Sequence, residues 1–244
     1  MSRATTTEAV VLRSFAFGEA DRVLHLYTEA NGREGAVAKG VRRTKSRFGA
    51  RLEPFSHVEL VLHRGRGELS TVTGASLVRS HDRIRTDSRR LQVGTIGLEA
   101  MLKLFPEEEQ SERAWLGLTR FLDALDDAPL RDGVRPALEP LVLSFQLKLL
   151  WVSGLLPHVD ACVGCGVGDG LAAYSPSASG AVCRDCDTDG IRLSPSGIRG
   201  IEGLLTTPIA DASMLFLEDA ALRDAAAVIA ASYEHHGGFR LRTA

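Results

Sequence analysis

Val23-Leu-His-Leu-Tyr27, Asn31-Gly32 and Gly35-Ala-Val-Ala38 follow one another in the first forty residues of this chain. The first block alternates apolar and other side chains, as a strand with one buried face does. Asn-Gly is the dipeptide of tight hairpin turns, and the third block supplies the returning strand. Working outward, Glu8-Ala-Val-Val-Leu-Arg-Ser-Phe15 reads as a strand that ends at Gly18. Val58-Glu-Leu-Val-Leu-His63 and Leu69-Ser-Thr-Val-Thr73 form a second pair around the Gly65-Arg-Gly67 turn. Five short strands in about 80 residues, mostly without helix patterns between them, predict a small closed barrel. The OB-fold is the common barrel of that size that also binds nucleic acid.

Beyond Ser88 the apolar period changes to that of a helix. Leu91, Thr95, Leu98 and Leu102 mark one face of a helix that stops before Pro106. Glu107, Glu108 and Glu109 read as helix-start charges before a second helix, capped by Ser111, with Trp115, Leu118, Phe121, Leu122 and Leu125 inward. The strongest apolar periodicity predicts a helix from about Arg135 to Leu156, ended by Pro157 and packed through Leu138, Leu141, Val142, Phe145, Leu149 and Val152. Ser194-Pro195 opens another helix. Leu222, Ala226, Ile229 and Tyr233 mark the last, closed by Gly237-Gly238.

Between these helical stretches lie the chain's four cysteines: Cys162-Val-Gly-Cys165 and, after 17 residues, Cys183-Arg-Asp-Cys186. Two such pairs have the spacing of a structural zinc site, each pair placing two sulfurs on one turn. Four thiolates fill a tetrahedron and leave no open position, so the expected role is structural. Two disulfides, four buried thiols or a redox pair are the competing readings, and the paired spacing favours zinc. Gly164 and Gly166 suit the knuckle, and His158 nearby reads as an ordinary helix-end residue. Thiolate ligation implies a reducing compartment.

Net charge is -2, but it is unevenly distributed. Residues 1–90 carry seventeen Lys and Arg against ten Asp and Glu, and the remainder carries twelve against twenty-one. A positive front and a negative back imply different partners. Lys39-Gly-Val-Arg-Arg-Thr-Lys-Ser-Arg-Phe-Gly-Ala-Arg51 holds six basic residues and no acidic one. Its low apolar content predicts a mobile loop. Lys39, Arg42, Arg43, Lys45, Arg47 and Arg51, with Arg33 beside them, suit a phosphate backbone, and Phe48 within the run suits stacking on a base.

Phosphate-loop, dinucleotide, zinc-protease and serine-hydrolase templates are absent, so a non-enzymatic role is expected. No run of about 18 apolar residues occurs; the best candidate, Leu147 to Leu156, is broken by Lys148 and Gly154. With no secretory signal at the front, a cytoplasmic, nucleoid-associated protein without a membrane role is the expectation.

The order of several blocks resembles one family. Gly18-Glu-Ala-Asp-Arg22, Leu26-Tyr-Thr28, Gly32-Arg33, Ala38-Lys-Gly40, Ser46-Arg-Phe-Gly49, Leu52-Glu-Pro-Phe55 and Val58-Glu-Leu60 resemble the N-terminal region of the bacterial recombination mediator family RecO. Phe145-Gln-Leu-Lys-Leu-Leu150, Gly154-Leu-Leu-Pro157 and the two cysteine pairs continue the likeness. The resemblance implies an α+β protein: an N-terminal OB-fold β-barrel followed by an all-helical domain with an embedded zinc segment of four cysteines. On this reading residues 1–80 are the DNA-binding barrel, 81–157 and 191–244 the two parts of the helical domain, and 158–190 the zinc segment at Cys162, Cys165, Cys183 and Cys186. It further implies a DNA-repair protein that binds single- and double-stranded DNA and anneals complementary strands. Its implied partners are RecR and the single-stranded-DNA-binding protein, with which it helps load RecA. The contrasting expectation is a zinc-stabilised protein-interaction scaffold without direct DNA binding; an RNA-binding protein or zinc-dependent hydrolase ranks behind both.

Overall fold

A computed structural model describes residues 3–43, 46, 48–65, 67–155, 158–187 and 190–244. Five strands, β1 (Arg3–Phe17), β2 (Asp21–Thr28), β3 (Gly32–Ala38), β4 (His57–Arg64) and β5 (Ser70–Arg79), close into a barrel in the order β1-β2-β3-β5-β4. The long first strand is used twice. Its first half pairs with β4 and its second half with β2, and a register shift between Val11 and Arg13 lets it bend from one partner to the other. The alternation seen in the sequence sets the two faces. Ala9, Val11, Leu24, Leu26, Leu60, Leu62 and Val72 fill the barrel.

The end of the basic segment, residues 48–52, departs from the expected mobile loop. Residues Gly49–Leu52 form a 3-10 turn, and Phe48 and Leu52 plug the barrel interior. Phe48 is 2% exposed, so its ring is core and is not available to stack on a base.

The helical body begins with α1 (Asp82–Thr86), α2 (Ser88–Leu104), α3 (Glu112–Asp127) and α4 (Pro140–Val152). Asp87 caps α2, its carboxylate accepting from the Arg89 and Arg90 amides at 2.9 Å each. The Arg90 amide foremost holds the Asp87 carboxyl below its ordinary value. A carboxylate lowered in the folded state stabilises fully above its unfolded pKa, near 4, and loses that contribution as pH falls through the folded value. Asp87→Ala is expected to cost about 1 kcal/mol at pH 7. In urea melts that difference should shrink below pH 4; a pH-independent difference would remove the cap from the account.

The α2 face is only partly the expected one. Leu98 is buried as expected but Leu91 is exposed, and Val93, Gly94, Ile96, Gly97, Ala100 and Met101 also face the core. A Cβ on Gly97 would lie 2.4 Å from Phe121 Cε1, and one on Gly94 would lie 2.7 Å from Phe55 Cε1. The glycines therefore admit aromatic rings against the helix backbone. Phe121 in turn stacks on Phe145 of α4, centroids 4.2 Å apart.

The α4 helix is shorter than the apolar pattern predicts. Pro136–Leu138 is a 3-10 turn, and Glu139 is extended because the ring of Pro140 excludes the helical conformation there. The helix ends at Val152 and is closed by Gly154, φ +74°, after which the Leu155 amide donates back to Leu150 O at 2.8 Å. Pro157 lies outside the described residues.

A small sheet follows in the order β7-β6-β8, from β6 (Leu171–Ser175), β7 (Gly180–Cys183) and β8 (Ile191–Arg192). Then come α5 (Pro195–Thr206), capped by Ser194 as its sequence indicates, and α6 (Asp219–Ser232), which runs into a π-turn closed at Gly238. The hydroxyl of buried Tyr174 in β6 meets Ser232 Oγ of α6 at 2.9 Å, joining sheet and helices. Val10, Leu12, Tyr27 and Phe55, from the outer side of the barrel, belong to the same apolar core as the helices. Among the described residues no helix is long and apolar enough to cross a membrane.

Candidate nucleic-acid interface and metal centre

The base of the basic loop is tied to the turn between β1 and β2. The Gly40 amide donates to Asp21 Oδ1 at 2.8 Å, the Arg42 amide to Ala20 O at 2.9 Å, and Arg42 Nη1 to Gly18 O at 3.3 Å. These bonds hold Lys39, Arg42 and Arg43, all exposed, beside the end of β1. There Phe15 and Phe17 stand 40% and 57% exposed. Arg13 lies with its guanidinium carbon 5.8 Å from the Phe15 ring centre, and His25 packs on the other strand at 5.6 Å. Burial lowers the His25 pKa, with Arg33 and Arg13 adding to the effect, so this imidazole sits in a cationic field. Cations and two exposed aromatic rings thus share one surface of the barrel.

Reading charge runs misses Arg13, Phe15 and Phe17. The signal is present: Arg13, Phe15 and Phe17 alternate along the strand and so share a face. What the alternation does not tell is that this part of the face stays uncovered while Tyr27, on the same face of β2, packs edge-on against Phe105 at 5.8 Å.

The remaining loop candidates divide. Arg51 is exposed on the 3-10 turn, with Nη1 donating to Phe48 O at 3.3 Å. Lys45 and Arg47 lie outside the described residues. Arg33 is turned toward the helical body. Its Nη1 donates to Leu102 O at 3.1 Å and its Nη2 lies 3.6 Å from the Glu107 carboxylate. Glu108 pairs with Arg64, and its amide donates to Arg33 O at 2.9 Å. Glu107 and Glu108 are therefore bolts between barrel and helices and not helix-start charges; α3 begins later, at Glu112, with the Ser111 hydroxyl accepting from the Ala114 amide.

The four cysteines converge. Their sulfurs all lie within 4.8 Å of one another, and none is in a disulfide. Cys162 and Cys165 sit on a turn in which the Gly166 amide donates to Cys162 O at 2.7 Å; Cys183 ends β7 and Cys186 lies on the turn after it. The Val163 amide donates to Ala181 O at 3.0 Å and pins one turn against the other. Gly164 lets the two turns approach closely, because a Cβ there would lie 3.1 Å from Cys186 Sγ. The Cys183 amide donates to Cys162 Sγ at 3.3 Å. That bond, with help from the Cys165 and Gly164 amides, draws the Cys162 thiol down to about 6. Cys186, sharing its proton with Cys183 and the other sulfurs, is pushed up to about 12. Four thiolates this close repel one another, and a divalent cation among them would remove that repulsion. The quartet can hold a metal ion. His158 is outside it: this residue bridges to Gly180 in extended backbone and does not end a helix.

Two family models together span nearly the entire chain. Recombination protein O N terminal matches residues 1–81, and Recombination protein O C terminal matches residues 85–244. The chain belongs to the RecO family. Among curated relatives, the DNA repair protein RecO of Rubrobacter xylanophilus is 39% identical over 214 residues, 85% of this chain and 83% of the relative. The DNA repair protein RecO of Anaeromyxobacter dehalogenans is 34% identical over 247 residues, 99% of this chain and 94% of the relative. Within the RecO match, the barrel falls in the N-terminal model and the cysteine quartet in the C-terminal one.

Proposed function

We propose that this RecO-family chain is a non-enzymatic mediator of recombinational DNA repair. It binds single- and double-stranded DNA on the barrel, anneals complementary strands, and works with RecR and the single-stranded-DNA-binding protein to load RecA, in the cytoplasm at the nucleoid. The observation that carries this reading is the exposure of Arg13, Phe15 and Phe17 on β1 and of Lys39, Arg42 and Arg43 on the loop tied to its end. Exposed cations neutralise phosphates and release their counterions, while exposed rings accept unpaired bases without regard to sequence. Two strands held against one cationic surface repel each other less, so pairing proceeds without covalent chemistry.

Zinc is the metal best matched to the quartet. Soft thiolates select it, and a tetrahedron with Zn–S bonds of about 2.3 Å separates its sulfurs by about 3.8 Å. The sulfurs of Cys165 and Cys183 are 3.8 Å apart. Zinc bound by Cys162, Cys165, Cys183 and Cys186 would brace the sheet and take no part in a reaction.

The test is the salt dependence of single-strand binding. Each phosphate contact contributes roughly -0.7 to the slope of log affinity against log salt. Replacing Arg42 and Arg43 together with Ala is expected to make the slope shallower by about 1.4, measured by fluorescence anisotropy. An unchanged slope would remove this surface from the interface.

A protein-interaction scaffold is the second reading. It draws on Met214 and Phe216, two large apolar side chains standing almost fully in solvent between α5 and α6. Failure of the chain to shift an oligonucleotide at low salt would favour it.

A further inference from the structure

The helical body is the acidic part of the chain, yet one of its faces is cationic and aromatic. Trp151, at the end of α4, is 51% exposed. The guanidinium carbon of Arg113, in the first turn of α3, lies 4.9 Å from its ring centre. The indole is thus left open to another partner. Leu116, one turn further along α3, is also exposed, and Arg120 follows on the same face about 10.5 Å from Arg113 along the axis.

Neither arginine is neutralised. Among the described residues no carboxylate forms an ion pair with Arg113 or Arg120. Asp123, the nearest acidic residue along the helix from Arg120, is committed to Arg79 at 2.9 Å and to His81 at 3.0 Å. Glu112, beside Arg113, sits where the helix N-terminus favours a negative charge. Arg113 on the indole and Arg120 further along the same helix face, neither ion-paired among the described residues, suit a ligand that is anionic and flat. A single nucleic-acid strand has both properties.

We infer that Trp151, Arg113 and Arg120 form a second single-strand site, in which an unpaired base stacks on Trp151 and the arginines hold phosphates of the same strand. This rests on the proposed annealing role: the barrel holds one strand, and the helical face receives the other.

The chain carries its own reporter. It has two tryptophans, and the other, Trp115, is buried against His57. Stacking of a base on Trp151 is expected to quench the tryptophan emission of the full chain when an oligothymidylate of about 30 nucleotides is added. Trp151→Phe should abolish the quench. Trp151→Ala, and separately Arg113→Ala with Arg120→Ala, should slow annealing of two naked complementary strands about tenfold, in line with the loss of one stacked base. Affinity for a single strand at limiting DNA should change less than twofold, because the barrel binds it first. A wild-type chain that stays unquenched in saturating excess of the oligonucleotide, or unchanged annealing in both variants, overturns the inference. If the Trp151 variant anneals naked strands normally but fails only on strands coated with single-stranded-DNA-binding protein, the face is a protein contact and the inference is likewise overturned. The wider DNA-binding reading fails separately, through the Arg42 and Arg43 pair.

Discussion

Cys162→Ala is expected to empty the metal centre and unfold the segment around it. Zinc should fall from one equivalent per chain to none by elemental analysis, and limited proteolysis should open cleavage sites within residues 158–190. The expectation is strong because binding and folding are one process in such segments, with binding worth about 10–16 kcal/mol in zinc-finger peptides. Local packing offers little to replace it: beside the cysteines, the apolar cluster of this segment holds only Ala173, Val182 and the partly buried Leu171 among the described residues. The damage should spread. Tyr174 leaves β6 to meet Ser232 of α6, so a loosened sheet withdraws a buried ring from the helical core. A variant that keeps full metal and wild-type protease resistance would remove the quartet from its structural role.

Phe48→Ala should cost about 3–5 kcal/mol, the usual penalty for emptying the place of a buried aromatic ring. Against a typical domain stability of about 5–15 kcal/mol, that is a large fraction. The measurement is a urea or thermal melt followed alongside oligonucleotide affinity. With Phe48 as a barrel plug, stability falls and the remaining folded protein binds a single strand with unchanged salt slope. With Phe48 as a base-stacking residue, the reverse holds: the melt is unchanged and affinity drops. The ring's place among Leu24, Leu60 and Leu62 predicts the first outcome.

Phe48 also shows where sequence reading succeeds and where it stops. An aromatic residue inside a basic run looks like a ligand contact, because composition reports charge and not which way a side chain turns. The five strands are legible because alternation is a direct record of a two-sided surface. The cysteine site is legible because ligand spacing encodes a turn. The face of α2 is not, since Gly94 and Gly97 carry no apolar signal and yet mark where Phe55 and Phe121 press closest. The start of α4 is hidden because its apolar periodicity continues across Pro140, whose ring forbids the helix at Glu139. Charge alone groups Arg33 with the loop, and only the fold shows it spending that charge on Leu102 and Glu107. Arg13, Phe15 and Phe17 lie within a legible strand, but their exposure depends on how far the helices extend over the barrel, which no local pattern records.

The barrel's outer flank has a consequence for how the molecule moves. Val10, Leu12, Tyr27 and Phe55 are interior residues of the helical body as much as of the barrel, and Arg33 with Glu107 and Arg64 with Glu108 rivet the same seam. Cutting the chain near residue 81 would bare a greasy wall on both pieces, so neither half is a portable module. Barrel and helices share one apolar core, so a force on one is felt by the other.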